Sequence, residues 1–359
     1  MNKLIKNILS KIENHGFEAY IIGGYVRDLL VGKSSFDIDI CTNATPKELI
    51  KIFPQSSTKN LGGIEFKIRE YHFEITTYRE EIKYKNRKPI EYNYINNLVE
   101  DLKRRDFTIN AICMNTKGEI IDLIDGTKDL ANLKIKMIGN IKTKIKEDPL
   151  RILRAIRIAT HLNFSLDSEL YKELKKEYKR VLKLSNTRIK EELDKILLSE
   201  NPKKGLKLLE ELGISKLLGL TYNEITNVKN LEAMYAQIDI KYNLPFTKVE
   251  RENIKNIKSI LKKGDINKST LYKHGLFLTT VAGEILNINK KTINKMYKEL
   301  PIKVRKDLNI TPDEIVKILN IEYSSIVGKI LNDLENLIIS GKIKNKKKDI
   351  IKYLIETKK

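Results

Sequence analysis

FDIDICT, residues 36–42, sets two aspartates two positions apart between bulky apolar residues. Side chains alternate along a strand, so Asp37 and Asp39 share one face and Phe36, Ile38 and Ile40 the other. With the apolar face packed into a domain, the two carboxylates stand roughly 7 Å apart at the backbone, close enough to converge on one cation. The same pattern also describes an ordinary antiparallel strand with a wet acidic face. The flanking sequence has to decide between the two.

Upstream, IIGGYVRDLLVG (21–32) reads as a strand running into Gly23-Gly24 and then a short helix closed by Gly32. Glycines admit close backbone approach, amides at a helix start face an anion, and Arg27 adds a fork for phosphate oxygens. A tight turn with a surface Arg27–Asp28 pair fits equally. Downstream, alternation in YHFEITTYR (71–79) points Phe73 and Ile75 inward and Glu74 and Thr76 outward. Glu74 is then either a third carboxylate beside Asp37 and Asp39 or a solvent-facing strand residue. DLKRRDFTINA (101–111) offers Arg104, Arg105 and Asp106, suited to a triphosphate or ribose and equally to a surface ion-pair network.

In EDPLRILRAIR (147–157), Asp148 stands as N-cap with Pro149 at the first helical position. Arg151, Arg154 and Arg157 follow at steps of three, on one drifting face. Such a row repels itself unless an anion or carboxylates face it, and Glu147 and Asp148 alone are too few.

The chain has 359 residues, with 68 Lys plus Arg against 47 Asp plus Glu, a formal net charge of +21. That balance favours polyanions, nucleic acid before anionic membrane, although Ile, Lys and Asn are abundant throughout. Two cysteines and four scattered histidines give neither a disulfide framework nor zinc spacing. The start, MNKLIKNILSKIENHGF, has the spacing of an amphipathic helix and no continuous apolar run, so the expected location is the cytoplasm. Up to about residue 140, strand signals (EAYIIGG, FDIDI, GIEFKIRE, YHFEITTY, NAICMN, EIIDLID) mix with short helices such as TPKELIKIF, capped by Thr45. The fold class is therefore α+β, on a small mixed sheet. Beyond it the apolar stripes are helical, ending in a lysine-dense tail that reads as a solvated face or an RNA contact.

GGYVRDLL…FDIDICT, RRDFTINA and EDPLRILRAIR, in this order, resemble the class II tRNA nucleotidyltransferase and bacterial poly(A) polymerase family. The resemblance implies a polymerase-β-like nucleotidyltransferase head (1–140), then an all-α neck (141–200) for nucleotide-base recognition and a helical body and tail (201–359) binding tRNA. It implies that Asp37 and Asp39 hold Mg²⁺, with Glu74 as the third acid. Gly24, Arg27 and Arg105 match triphosphate contacts, Asp148 and Arg151 the pair that reads the incoming base, and Arg154 and Arg157 arginines supporting nucleotide binding. Two Mg²⁺ ions about 4 Å apart would activate the RNA 3′-hydroxyl and stabilise the departing pyrophosphate.

Cytosine and adenine each set an exocyclic amine beside an acceptor nitrogen, which complements an accepting Asp148 and a donating Arg151. Uracil and guanine present a carbonyl to the carboxylate and are rejected. The expected activity is addition of CCA to tRNA 3′ ends from CTP and ATP, with no membrane and no obligate protein partner. Poly(A) addition and A-only addition remain within the family; a non-catalytic RNA-binding protein is the remote alternative. YREEIKYKNRKP (78–89) looks like the flexible loop that CC-only members lack. Two motifs depart from the family pattern: Asp125 stands where D-x-x-G-G has its first glycine, between Asp122 and Gly126, and Thr187 replaces a common acid between Ser185, Arg188 and Glu192.

Overall fold

The computed structural model describes residues 2–357. Two compact units divide the chain: residues 1–220 with 241–244, and residues 221–240 with 245–359.

The first unit carries a seven-stranded mixed sheet. Its strands are β1 (Ala19–Ile22), β2 (Asp37–Thr42), β3 (Ser57–Lys59), β4 (Gly63–Ile68), β5 (Tyr71–Thr77), and the two-residue β8 (Cys113–Met114) and β9 (Ile120–Ile121), in the order β3-β4-β5-β2-β1-β8-β9. All neighbours are antiparallel except β2 and β5, which pair in parallel. The parallel pair needs a crossover, made by helix α3 (Pro46–Ile52) and the β3–β4 hairpin. Glu48 fixes the start of α3 by accepting from both the Thr45 N–H and its hydroxyl at 2.7 Å.

Helix α1 (Lys3–Glu13) buries Ile5, Ile8, Leu9 and Ile12. Ile38, Ile40, Phe73 and Ile75 are fully enclosed, as alternation requires. Phe36 differs from its expected inward place: β2 begins at Asp37, and Phe36 is exposed against the Tyr71 ring. The acidic face of β2 is graded. Asp37 is exposed, Asp39 half-buried, and Cys41 sits in a second small core with Ile22, Tyr78, Leu102 and Cys113.

Within residues 78–89, expected as a flexible loop, 79–85 and 88–89 are strand and 86–87 form a turn. Strands β6 (Arg79–Lys85) and β7 (Lys88–Tyr94) form an antiparallel hairpin turning at Asn86 and Arg87, both with positive φ. Alternating REEIKYK and KPIEYNY carry the pairing, and asparagine tolerates the left-handed turn. Later in this unit α6 (Ile141–Glu147) precedes α7 (Leu150–Leu162), which packs on the helices Asn186–Leu197 and Pro202–Glu211.

The second unit is mainly helical in its described residues, with strand only at 221–222 and 238–240, and its helices Lys268–Ile285, Pro312–Leu319 and Ser325–Ile339 enclose Leu271, Ile293, Ile315, Leu334 and Ile350. No helix among the described residues is long and apolar enough to cross a membrane.

Candidate active site

A cavity of about 500 Å³ opens in the first unit, over the sheet and against α7. Its floor comes from the sheet. Parallel register sets Asp39 of β2 directly beside Glu74 of β5, and both line the cavity. Asp37 starts the same strand outside the cavity lining, 85% exposed, with His72 Nδ1 3.5 Å from its Oδ1. Gly23, before α2 (Gly24–Leu30), has φ +83°, and a Cβ there would lie 2.6 Å from Asp39 Oδ2. A side chain at Gly23 meets both backbone strain and the carboxylate, so the steric need for glycine falls on Gly23. Gly24 lines the cavity beside it.

Burial raises the Asp39 carboxyl to about 6; facing Glu74 and Asp37 add to the rise, against Arg105 and Lys59. A site that disfavours its own negative charge in this way fits a hard cation. Among the described residues no three His, Cys, Asp or Glu donors converge on one point. Mg²⁺ characteristically takes one or two carboxylates and completes its shell with water and substrate phosphates, so this donor set suits it.

Opposite the acids stands a wall of arginines, each held by a carboxylate. Arg104 and Arg105 fork onto the two oxygens of fully buried Asp101, at 2.8 and 2.9 Å. Arg79 pairs with buried Glu81 at 2.7 Å, and Tyr84 donates to the same carboxylate. Burial works to raise Asp101 and Glu81, but the adjacent guanidiniums hold both below the usual range. Arg154 reaches Asp106 at 2.8 and 2.5 Å. Burial opposes ionisation of Asp106, yet Arg154 and the donors Asn110 and Phe107 N–H bring it down to about 2.

The helix after Asp148 begins at Leu150, with Pro149 in the N-cap place expected for Asp148; one residue further out, Asp148 still accepts from the Leu150 N–H through Oδ1 at 3.0 Å. The same oxygen accepts from Arg87, at the hairpin tip, at 2.5 Å. Arg151 donates to the Lys144 carbonyl at 2.7 Å and to Glu147 at 3.2 Å. Arg157 pairs with Glu192 at 2.7 Å and does not line the cavity. The arginine row is thus neutralised one carboxylate at a time by Glu147, Asp106 and Glu192, the last two from distant segments. Arg27 also stands outside the cavity lining. It is buried, donating to Asp28 at 2.7 and 2.8 Å and to Asn110 at 2.6 Å.

The cavity therefore gathers Gly24, Asp39, Glu74, Arg105, Asp148, Arg151 and Arg154, and leaves Asp37, Arg27 and Arg157 at or beyond its edge. Arg79, Glu81, Tyr84, Arg87 and Arg104 also line it, although of these only Arg104 stands out in the sequence. The others lie on the hairpin, where alternation of charged and aromatic residues was the available signal. The departure at Asp125 also has a physical account. Asp125 adopts the left-handed conformation that a glycine would take, while Asp122 accepts from the Gly126 and Thr127 N–H groups at 2.9 and 2.7 Å.

Residues 19–136 match the model of the poly(A) polymerase head domain. Residues 163–219 match a probable RNA- and SrmB-binding site of polymerase A, and residues 239–354 a putative tRNA nucleotidyltransferase domain 2. Over 98% of its length the chain is 32% identical to a CCA-adding enzyme of Ligilactobacillus salivarius, 96% of which is covered. A Staphylococcus aureus CCA-adding enzyme is 30% identical over 97% of this chain and 96% of its own. Among solved structures, the Bacillus stearothermophilus CCA-adding enzyme in complex with CTP matches with TM-score 0.84 at 22% identity, covering 99% and 98% of the two chains. The Thermotoga maritima CCA-adding enzyme complexed with tRNA matches at TM-score 0.69 and 20% identity, covering 99% and 95%.

Proposed function

Because the chain belongs to the tRNA nucleotidyltransferase and poly(A) polymerase family, to which curated CCA-adding enzymes also belong, we propose that this tRNA nucleotidyltransferase adds C, C and A to tRNA 3′ ends. The observation that carries this reading is one cavity with two chemically distinct sides: Asp39 and Glu74 face an arginine wall that ends in Asp148 and Arg151. The carboxylates suit the reacting end of a nucleotide, the arginines its triphosphate, and the Asp148–Arg151 end its base.

Arg104, Arg105 and Arg154 are pre-oriented by Asp101 and Asp106, so little ordering remains when a triphosphate enters. Asp148 Oδ1 is occupied by Arg87 and the Leu150 N–H, which leaves Oδ2 to accept a base amine. Arg151 spends its Nη groups on Lys144, Glu147 and the Arg104 carbonyl, and its Nε–H remains to donate to the ring nitrogen. Base choice then needs no nucleic-acid template. Arg157 supports binding indirectly, by tying α7 to Glu192. Arg27 likewise acts beneath the Gly23-Gly24 turn, through Asp28 and Asn110.

The 3′-hydroxyl oxygen loses its proton to solvent and attacks the α-phosphorus; one P–O bond forms, the bond from the α-phosphorus to the α–β bridging oxygen breaks, and pyrophosphate leaves. Nucleotidyltransferases of this family generally use divalent metal ions. Asp37 and Asp39 would hold Mg²⁺, which when bound supplies activation of the hydroxyl and stabilisation of the leaving pyrophosphate. Residues 1–140 serve as the catalytic head, 141–200 as the base-reading neck, and 201–359 as the tRNA-binding body and tail.

The test supplies tRNA ending at the discriminator base, at C or at CC, with Mg²⁺ and CTP or ATP separately. The reading expects C addition to the first two ends and A addition to the third. Growth at the CC end alone indicates an A-adding enzyme. RNA binding with no product, unaffected by Asp37→Ala, indicates a non-catalytic protein.

A further inference from the structure

Across β2, β5 and β4 one register holds Asp39, Glu74 and Glu65. Neighbouring strands lie about 4.8 Å apart, so three carboxylates in a row repel one another. One lysine stands among them. Lys59, on the edge strand β3, places its ammonium 2.5 Å from Glu74 Oε2 and 3.2 Å from Glu65 Oε2. It fits because its register partner on β4 is Gly63, which has no side chain to compete for the space. An exposed lysine between two acids is ordinarily a minor surface pair. This one is 32% exposed and reaches Glu74, the register partner of Asp39.

We propose that Lys59 is a built-in counter-charge for this carboxylate row, holding Glu74 towards Glu65 and setting how tightly the site takes a divalent cation. The inference rests on the reading of Asp37 and Asp39 as the cation-holding pair. Lys59 touches no reacting atom; it is a positioning residue acting through Glu74. An ammonium about 7 Å from a divalent ion weakens its binding roughly seven-fold at the dielectric of water and low salt. Without Lys59, the charge of Glu74 is no longer offset by a neighbouring ammonium, and the side chain is free to turn towards Asp39.

The experiment titrates Mn²⁺ into the full chain without nucleotide at low ionic strength, counting free Mn²⁺ by electron paramagnetic resonance. Lys59→Met and Lys59→Gln should bind roughly three- to ten-fold more tightly than wild type. Lys59→Arg, which keeps the charge, should bind as wild type does, and added salt should narrow the difference. A merely structural clip would move none of these affinities in that direction. Equal or weaker binding by both neutral variants, while Asp39→Asn still abolishes it, overturns this inference alone. Binding that survives Asp39→Asn overturns the site reading and this inference with it.

Discussion

Replacing Asp39 with asparagine should abolish nucleotide addition and, at neutral pH, make the metal-free protein more stable. Asp39 titrates near 6 in the folded protein instead of its ordinary 3.8, because it is buried and faces Glu74 and Asp37. An acid raised in this way contributes its stability below the unfolded value, and that contribution is lost as pH rises through the folded value. Near pH 4 and below, the carboxyl is neutral in the folded protein and largely or partly neutral in the unfolded chain, so asparagine changes little. Above pH 6 the folded protein carries a charge that the unfolded chain accommodates more easily, and asparagine removes it.

Lifting a carboxyl over that interval corresponds to about 3 kcal/mol, a ceiling because water reaches the half-buried group. Thermal unfolding in EDTA should therefore show Asp39→Asn level with wild type near pH 4 and several degrees higher above pH 7. Both proteins keep Glu74 and Asp37, so the difference reports the change at position 39. Mg²⁺ should stabilise wild type and leave the variant unmoved. A variant less stable than wild type at pH 7.5, or a gap of the same size at pH 4, refutes the reasoning.

Gly23→Ala should cost about 2 kcal/mol from its backbone conformation alone, and more from the contact with Asp39 Oδ2; chemical denaturation and a nucleotide-incorporation assay read the two effects together. Arg157→Met strands the enclosed Glu192 carboxylate and should cost about 3 kcal/mol, read by chemical denaturation; adding Glu192→Leu should restore most of the stability. Arg151→Ala should loosen discrimination of CTP over UTP more than it weakens triphosphate binding, measured as kcat/KM for each nucleotide against the inhibition constant of pyrophosphate. Unchanged base preference in that variant refutes the base-reading role.

What was legible in the sequence was local. Strand alternation places Asp37 and Asp39 on one face and Ile38 and Ile40 on the other, and helical spacing lines up Arg151, Arg154 and Arg157. The partners of those charges were not legible. Asp106 lies 48 residues before Arg154, and Glu192 lies 35 residues after Arg157. No spacing rule connects them; only the packing of α7 against the head and the following helix does. The hairpin escaped for a different reason. Its turn, Asn86-Arg87, lacks the glycine that announces a tight hairpin, so an alternating strand pair passed for a loop. Lys59 sits on a three-residue strand too short to carry a pattern, and its two acids arrive only through sheet register. The distinction between Gly23 and Gly24 likewise depends on which of them meets Asp39 in space.

The central claim is that one cavity reads C and A without a template and stops after CCA. The most direct measurement gives the protein a tRNA ending at its discriminator base, Mg²⁺ and all four nucleoside triphosphates at equal concentration, and sequences the extended 3′ ends. The account predicts a single product lengthened by C, C and A. Long A tails, or U and G among the added nucleotides at the frequency of C and A, would contradict it.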